Sequence, residues 1–160
     1  MNANTSFVPT INSTTETCHL LTPLELFYWS LEQIVIQGRR AVDGNSTYYY
    51  RVQYKGQLLK CPAGHCIPDD VYDASMEGTA LDADVGPGYT LLKDYFKARF
   101  SADQFKAIKC AQLIHDNTSL ITVTEIATTR STTMGHITAF VNARKAGCSF
   151  SSALEDFLKD

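Results

Sequence analysis

The stretch from Pro62 to Gly88 constrains this chain more than any other, because Pro62, Gly64, Pro68, Gly78, Gly86, Pro87 and Gly88 all fall within it. Proline fixes φ and removes a backbone donor, and glycine weakens helix and strand interiors alike. No long regular element can run through these residues. They read as a structured loop, with room for one helical turn near Val71–Met76. A loop of this length in a compact domain is usually functional or mobile. Regular structure is therefore expected on either side of it.

On the N-terminal side, Thr22-Pro23-Leu24-Glu25 is a capping box with proline at the first helical position. Leu24, Phe27, Tyr28, Leu31 and Val35 follow at helical spacing. Gly38 marks the end, with Arg39 and Arg40 near the negative end of the helix dipole. Asp43-Gly44-Asn45 is turn chemistry. Tyr48 to Tyr54 is rich in strand formers, and Lys55-Gly56-Gln57 can turn the chain back into Leu58–Cys61 as a short hairpin.

On the C-terminal side, Leu92, Tyr95 and Phe96 share a helical face within 89–99, and Ser101 with Gln104 forms a second capping box for a helix over 102–115. Residues 117–131 are rich in threonine and fit strand or helix. Met134, Ile137, Phe140 and Val141 mark a further helix that stops near Gly147. Ser149 or Ser151 caps a last one, with Leu154, Phe157 and Leu158 inward. There is no internal repeat and no domain boundary. The expected class is α+β: a mostly helical single compact domain over 22–160, with a small antiparallel β-hairpin and a long structured Pro/Gly loop. A flexible N-terminal arm over 1–21 precedes it.

Composition narrows the function classes. With 44% apolar residues the 160-residue chain can build a real core, and no apolar run approaches the ~20 residues that span a bilayer. A formal charge of −3 argues against a nucleic-acid binder that works by neutralising phosphates. The charge is uneven, however. Asp69, Asp70, Asp73, Glu77, Asp82 and Asp84 lie between Cys61 and Leu92 with no Lys or Arg among them. The first 22 residues contain no Lys or Arg and no apolar signal core, so the expected location is cytoplasmic. Cysteines 18, 61, 66, 110 and 148 are odd in number and irregular in spacing, which reads as reduced, buried thiols rather than a disulfide framework.

The segment Lys60-Cys61-Pro62-Ala63-Gly64-His65-Cys66-Ile67-Pro68-Asp69-Asp70-Val71-Tyr72-Asp73-Ala74-Ser75-Met76-Glu77-Gly78 resembles the hallmark of a family of small uncharacterised tailed-phage and prophage proteins, K-C-x-x-G-x-x-I-P-D-[DE]-x-Y-x-x-x-M-E-G. Gln112-Leu113-Ile114-His115-Asp116 matches the family's later L-Q-x-x-H-D-like segment, and Ala41 to Arg51 suits the strand that precedes the motif. The likeness covers about residues 22–116. Cys66 departs from it, standing where an aliphatic residue is usual. The resemblance implies a phage setting and the host cytoplasm. It implies no activity.

Several chemistries compete for these residues. Cys61, His65 and Cys66 give C-x3-H-C, three of the four ligands a structural zinc protein needs, but no second pair has fitting spacing. Asp82-Ala83-Asp84 opens like a calcium loop and then fails at Gly86, Pro87 and Lys93. A small Cys/His-dependent enzyme could use Cys61 or Cys66 with His65 or His115, although acidic surroundings disfavour the thiolate. Val85-Gly86-Pro87-Gly88 lacks the Lys and Ser/Thr of a phosphate loop, and any nucleotide would need Arg39, Arg40, Arg51 or Lys60 for cations.

The leading expectation is a non-enzymatic binding protein that modulates a host process or counters host defence. It would bind a host protein or sequester a small polar ligand, with no catalytic residue, metal or cofactor, no direct nucleic-acid binding and no membrane. Its expected binding residues are Asp69, Asp70, Tyr72, Glu77, His115 and Asp116.

Overall fold

The capping signals work as written. Thr22 Oγ1 accepts the Glu25 N–H at 3.2 Å, and Glu25 Oε1 accepts the Thr22 N–H at 3.0 Å. Helix α1 (Pro23–Gln37) starts there and ends at Gly38, which takes the left-handed conformation at φ 88°. Leu26 to Glu32 are all buried, as is Ile34. Burial on every side makes α1 the central helix rather than an amphipathic surface one.

The protein, seen as a computed structural model, is described over residues 11–45, 47–81 and 83–116. The order after α1 is β1 (Arg51–Tyr54), β2 (Gln57–Lys60), α2 (Pro62–His65), α3 (Tyr89–Arg99) and α4 (Ala102–Asp116). The expected elements after residue 116, Cys148, Asp82 and residues 1–10 lie outside the described residues. Among the described residues the architecture is a small, mostly helical α+β domain with a two-stranded antiparallel sheet. Helix α1 packs against α4, and the short α2 touches both. No helix among the described residues is long and apolar enough to cross a membrane.

The two strands pair from Arg51↔Lys60 to Tyr54↔Gln57, so Lys55 and Gly56 alone make the turn. Both have positive φ, 50° and 78°. That geometry matches the right-handed twist of the strands and favours Asn-Gly. Lys55 meets it at a cost, partly offset by its ammonium lying 5.3 Å from the Tyr54 ring centroid. Lys55→Asn is expected to stabilise the protein by about 0.5 kcal/mol, read as a higher urea midpoint at unchanged slope. A lower midpoint would show that the Lys55–Tyr54 contact outweighs the backbone strain.

Two segments differ from expectation. Residues 11–21 were expected to belong to a flexible arm, yet they lie against the body. Cys18 is fully buried within a 3-10 turn (Cys18–Leu20). Gln104 Nε2 donates to the carbonyls of His19 and Leu21, both at 2.8 Å, and Glu32 Oε2 accepts the Ile11 N–H at 3.3 Å. Gln104 therefore does more than complete the second capping box with Ser101, which it also does. The second difference is α2, a helical turn inside the Pro/Gly loop that the sequence did not announce. A second turn, Ala74–Met76, falls within the stretch where one was expected.

Candidate functional site

The loop is folded back onto the hairpin by Glu77. Its Oε1 accepts the Tyr50 N–H at 2.8 Å, and its Oε2 accepts the Arg51 N–H at 3.1 Å and the Tyr72 hydroxyl at 2.7 Å. One carboxylate thus satisfies two backbone donors leading into β1 and holds a tyrosine from its own loop. Burial, and then the bond to Glu77, push the Tyr72 phenol up to about 12. The Arg51 guanidinium lies over the Tyr72 ring, 4.2 Å from its centroid, and reaches Asp69 Oδ1 at 3.0 Å and the Ile67 carbonyl at 3.3 Å. Lys60 adds a second cation at 3.7 Å from Asp69. The hydrogen bond from Arg51, with the positive charge of Lys60, holds the Asp69 carboxyl below the usual aspartate range although its side chain is exposed.

A second group surrounds His115. Its Nε2 accepts the Ala41 N–H at 3.0 Å, so the ring proton sits on Nδ1 and is donated to Asp116 Oδ1 at 2.7 Å. Asp116 Oδ1 also accepts from Gln112 Nε2 at 3.0 Å, while Gln112 Oε1 accepts the Ala63 N–H at 3.1 Å. Arg40 donates to the carbonyls of Ile114 and His115. The helix dipole alone would favour protonated His115 here. Burial outweighs it and lowers the imidazole pKa, against the raising effect of Asp116.

Between these groups sits the Cys61–Cys66 turn. Cys61 caps α2, its Sγ accepting the Gly64 N–H at 3.3 Å. The thiol is fully buried, and burial pushes its pKa far up, with the charges of Asp116 and Glu77 pushing the same way. Cys66 is equally buried and its pKa is also raised. His65 does not face a thiol. Its Nε2 donates to Gln37 Oε1 at 3.1 Å, and burial, then the nearby Lys60 charge, take its pKa down to about 3. Gln37 accounts for this placement: its Oε1 also accepts the Lys60 N–H at 2.8 Å and its Nε2 donates to the Lys60 carbonyl at 3.0 Å, so α1 pairs with the edge of β2 through one side chain. An activated nucleophile needs a thiolate with a base in reach, and among the described residues neither Cys61 nor Cys66 meets these conditions. No group of three or more His, Cys, Asp or Glu that could hold a metal occurs among the described residues.

Among the described residues, hydrogen bonds gather the six expected binding residues into separate groups. Asp69, Tyr72 and Glu77 are joined through Arg51, His115 pairs with Asp116, and Asp70 is exposed with no ion pair among the described residues. The cations considered for a nucleotide are occupied. Arg39 lies over the Tyr54 ring at 4.3 Å, Arg40 is buried on helix carbonyls, and Arg51 and Lys60 share Asp69. Sequence reasoning missed Arg51 as the hub, Gln37 and Gln112. Arg51 could have been found, since it is a lone cation on a strand preceding an acidic loop. Gln112 stands four residues before Asp116, a helical spacing that could be read, whereas the bonds of Gln37 and of Gln112 to distant backbone groups leave no spacing to read. Comparison with protein-family models, with curated proteins and with solved structures returned no match.

Proposed function

We propose that this is a non-catalytic binding protein that works by masking a basic surface of a host protein, in the cytoplasm of a bacterium infected by a tailed phage. One contrast supports this reading. The reactive side chains of the loop are engaged internally, whereas the carboxylates of Asp70 and Asp84 stand exposed and meet no cation among the described residues. Asp73 is also exposed, although it caps the Ala74–Met76 turn through the Ser75 N–H. A rigid loop that presents fixed negative charge suits electrostatic complementarity, which governs partner choice and association rate. The resemblance of the 60–78 segment to phage proteins supplies the setting.

The test is capture of basic host proteins on the immobilised chain, with Asp70→Lys/Asp84→Lys as the comparison. Neither side chain bonds to another of the described residues, so this variant is expected to keep the wild-type thermal midpoint. Capture is expected to fall at least tenfold in the variant and to weaken with salt in the wild type. Equal capture by both proteins removes the acidic loop from the account.

A further inference from the structure

Residues 41–45 and 47–49 form a small unit with bonds of its own. The Ala41 carbonyl accepts the Tyr49 N–H at 3.0 Å, and Val42 bridges to Tyr48. Asp43 accepts the N–H groups of Asn45 and Thr47 through Oδ1, at 2.9 and 3.0 Å, and the Tyr49 hydroxyl through Oδ2 at 2.9 Å. The unit meets the end of α4 at His115. The Ala41 N–H donates to Nε2 at 3.0 Å, and the Tyr48 ring packs edge-on against the imidazole, centroids 5.6 Å apart. A backbone amide can only donate, so the first contact exists only while Nε2 keeps its lone pair. Nδ1 is committed to Asp116 at 2.7 Å, so an added proton goes to Nε2.

We propose that His115 is an acid-sensitive latch: protonation at Nε2 releases the 41–49 unit from α4 while the rest of the fold stays in place. The proton turns an acceptor into a donor. Two N–H groups then point at one another, and neither has a partner. Flipping the ring does not restore the contact, because both nitrogens of a charged imidazole donate. Arg40, which donates to the carbonyls of Ile114 and His115, opposes a second positive charge there. Asp116 favours that charge but sits on the Nδ1 side, so it changes nothing at Ala41. From α2, which bonds to α4 through the Ala63 N–H and Gln112, come His65, whose charge would add to the repulsion, and the neutral Cys61 thiol. The Tyr48 phenol belongs to the unit itself, and residues 34–37, the last turn of α1, carry no titratable side chain.

Both ends of the unit have a place to pivot. Gly38 stands before it in the left-handed conformation at φ 88°. Tyr50 stands after it, fixed by its N–H to Glu77 and by its hydroxyl to the Thr79 carbonyl at 2.6 Å. Local opening between two such points needs no global unfolding. In the closed form the His115 side chain is fully buried, which lowers its pKa. In the open form the ring meets water and titrates near its ordinary 6.5. The open form therefore takes up the proton first, and opening grows by up to about tenfold per pH unit as the pH falls below 6.5. This latch does not depend on the partner proposed above.

The experiment measures amide hydrogen exchange by NMR on the full chain between pH 7 and pH 5, corrected for the intrinsic pH dependence of exchange. Protection of the Ala41 amide is expected to lie below that of Leu31, inside α1, at every pH and to fall by about tenfold or more across the interval. The same fall is expected in His65→Gln, which removes the other buried histidine. In His115→Gln, whose amide oxygen can accept the Ala41 N–H but takes no proton, the fall is expected to shrink below about threefold. Equal protection of Ala41 and Leu31, an undiminished fall in His115→Gln, or a flat Ala41 profile in His65→Gln overturns the proposal. Should His115→Gln fail to fold, the native and His65→Gln profiles decide: a tenfold fall at Ala41 in both supports the latch, and a flat profile in either sinks it.

Discussion

Gly64→Ala is expected to unfold the protein or to cost about 4 kcal/mol, a large share of the roughly 5–15 kcal/mol that holds a domain of this size. A Cβ at this position would lie 1.9 Å from the Tyr50 carbonyl oxygen and 2.9 Å from its carbonyl carbon. Backbone cannot rotate aside as a side chain can. To restore contact distance, α2 must withdraw from the strand lead-in by more than an ångström. Three bonds then lengthen together: Cys61 N–H to the Tyr50 carbonyl at 3.1 Å, Ala63 N–H to Gln112, and His65 to Gln37. A buried donor left without a partner costs about 1–3 kcal/mol, so losing even two of them outweighs the small gain in helix propensity. Ala63→Gly, one residue earlier in the same turn, adds no atom and is expected to cost only about 1 kcal/mol. Urea denaturation of the two variants decides the matter. A Gly64→Ala protein within 1 kcal/mol of the native sequence would show that α2 is free to move.

This expectation assigns the 60–78 motif a role that its composition conceals. Acidic and aromatic residues in a Pro/Gly loop read as a presented binding surface. Several of them are instead the ties that hold the loop down. Glu77 bonds to backbone donors at residues 50 and 51, Gly64 makes room for the Tyr50 carbonyl, and Met76 is fully buried. What was legible depended on where each bonding partner lies. Thr22 and Glu25, Ser101 and Gln104, and Lys55 and Gly56 act within a few residues of one another, so their helices and turn could be placed from spacing alone. Cys61 capping a four-residue helix is local too, but cysteine is an unusual cap and proline-glycine density argued against any helix. Glu77, Gln37 and Gln112 act across the fold on backbone groups that every residue carries, and nothing in the sequence distinguishes such an acceptor from a solvated one. Likewise His115 could be placed near Asp116, but its neutral state depends on burial by distant segments.

Acid is expected to destabilise the protein well above the range in which carboxylates titrate. His65 has its folded pKa lowered from 6.5 to about 3, and that of His115 is lowered as well, in both cases chiefly by burial. A depressed folded pKa means that the unfolded chain takes up the proton first. The stability is therefore fully present above about pH 6.5 and is lost as the pH falls below it. For His65 alone the loss is about 1.4 kcal/mol at pH 5.5 and about 2.7 kcal/mol at pH 4.5, relative to pH 8. His115 adds a loss of the same sign. Asp43, Asp69 and Asp73 also have lowered folded pKa values, held down by hydrogen bonds and, for Asp69, by neighbouring cations. Their contributions are lost only as the pH falls through the carboxylate range, so the interval from pH 6.5 to 4.5 belongs mainly to the histidines. Urea denaturation across that interval is expected to give a steep fall in stability in the native sequence and a shallower one in His65→Gln, whose amide can still donate to Gln37. A flat profile between pH 8 and 5, or an undiminished slope in His65→Gln, would show that burial does not hold His65 neutral in the folded protein.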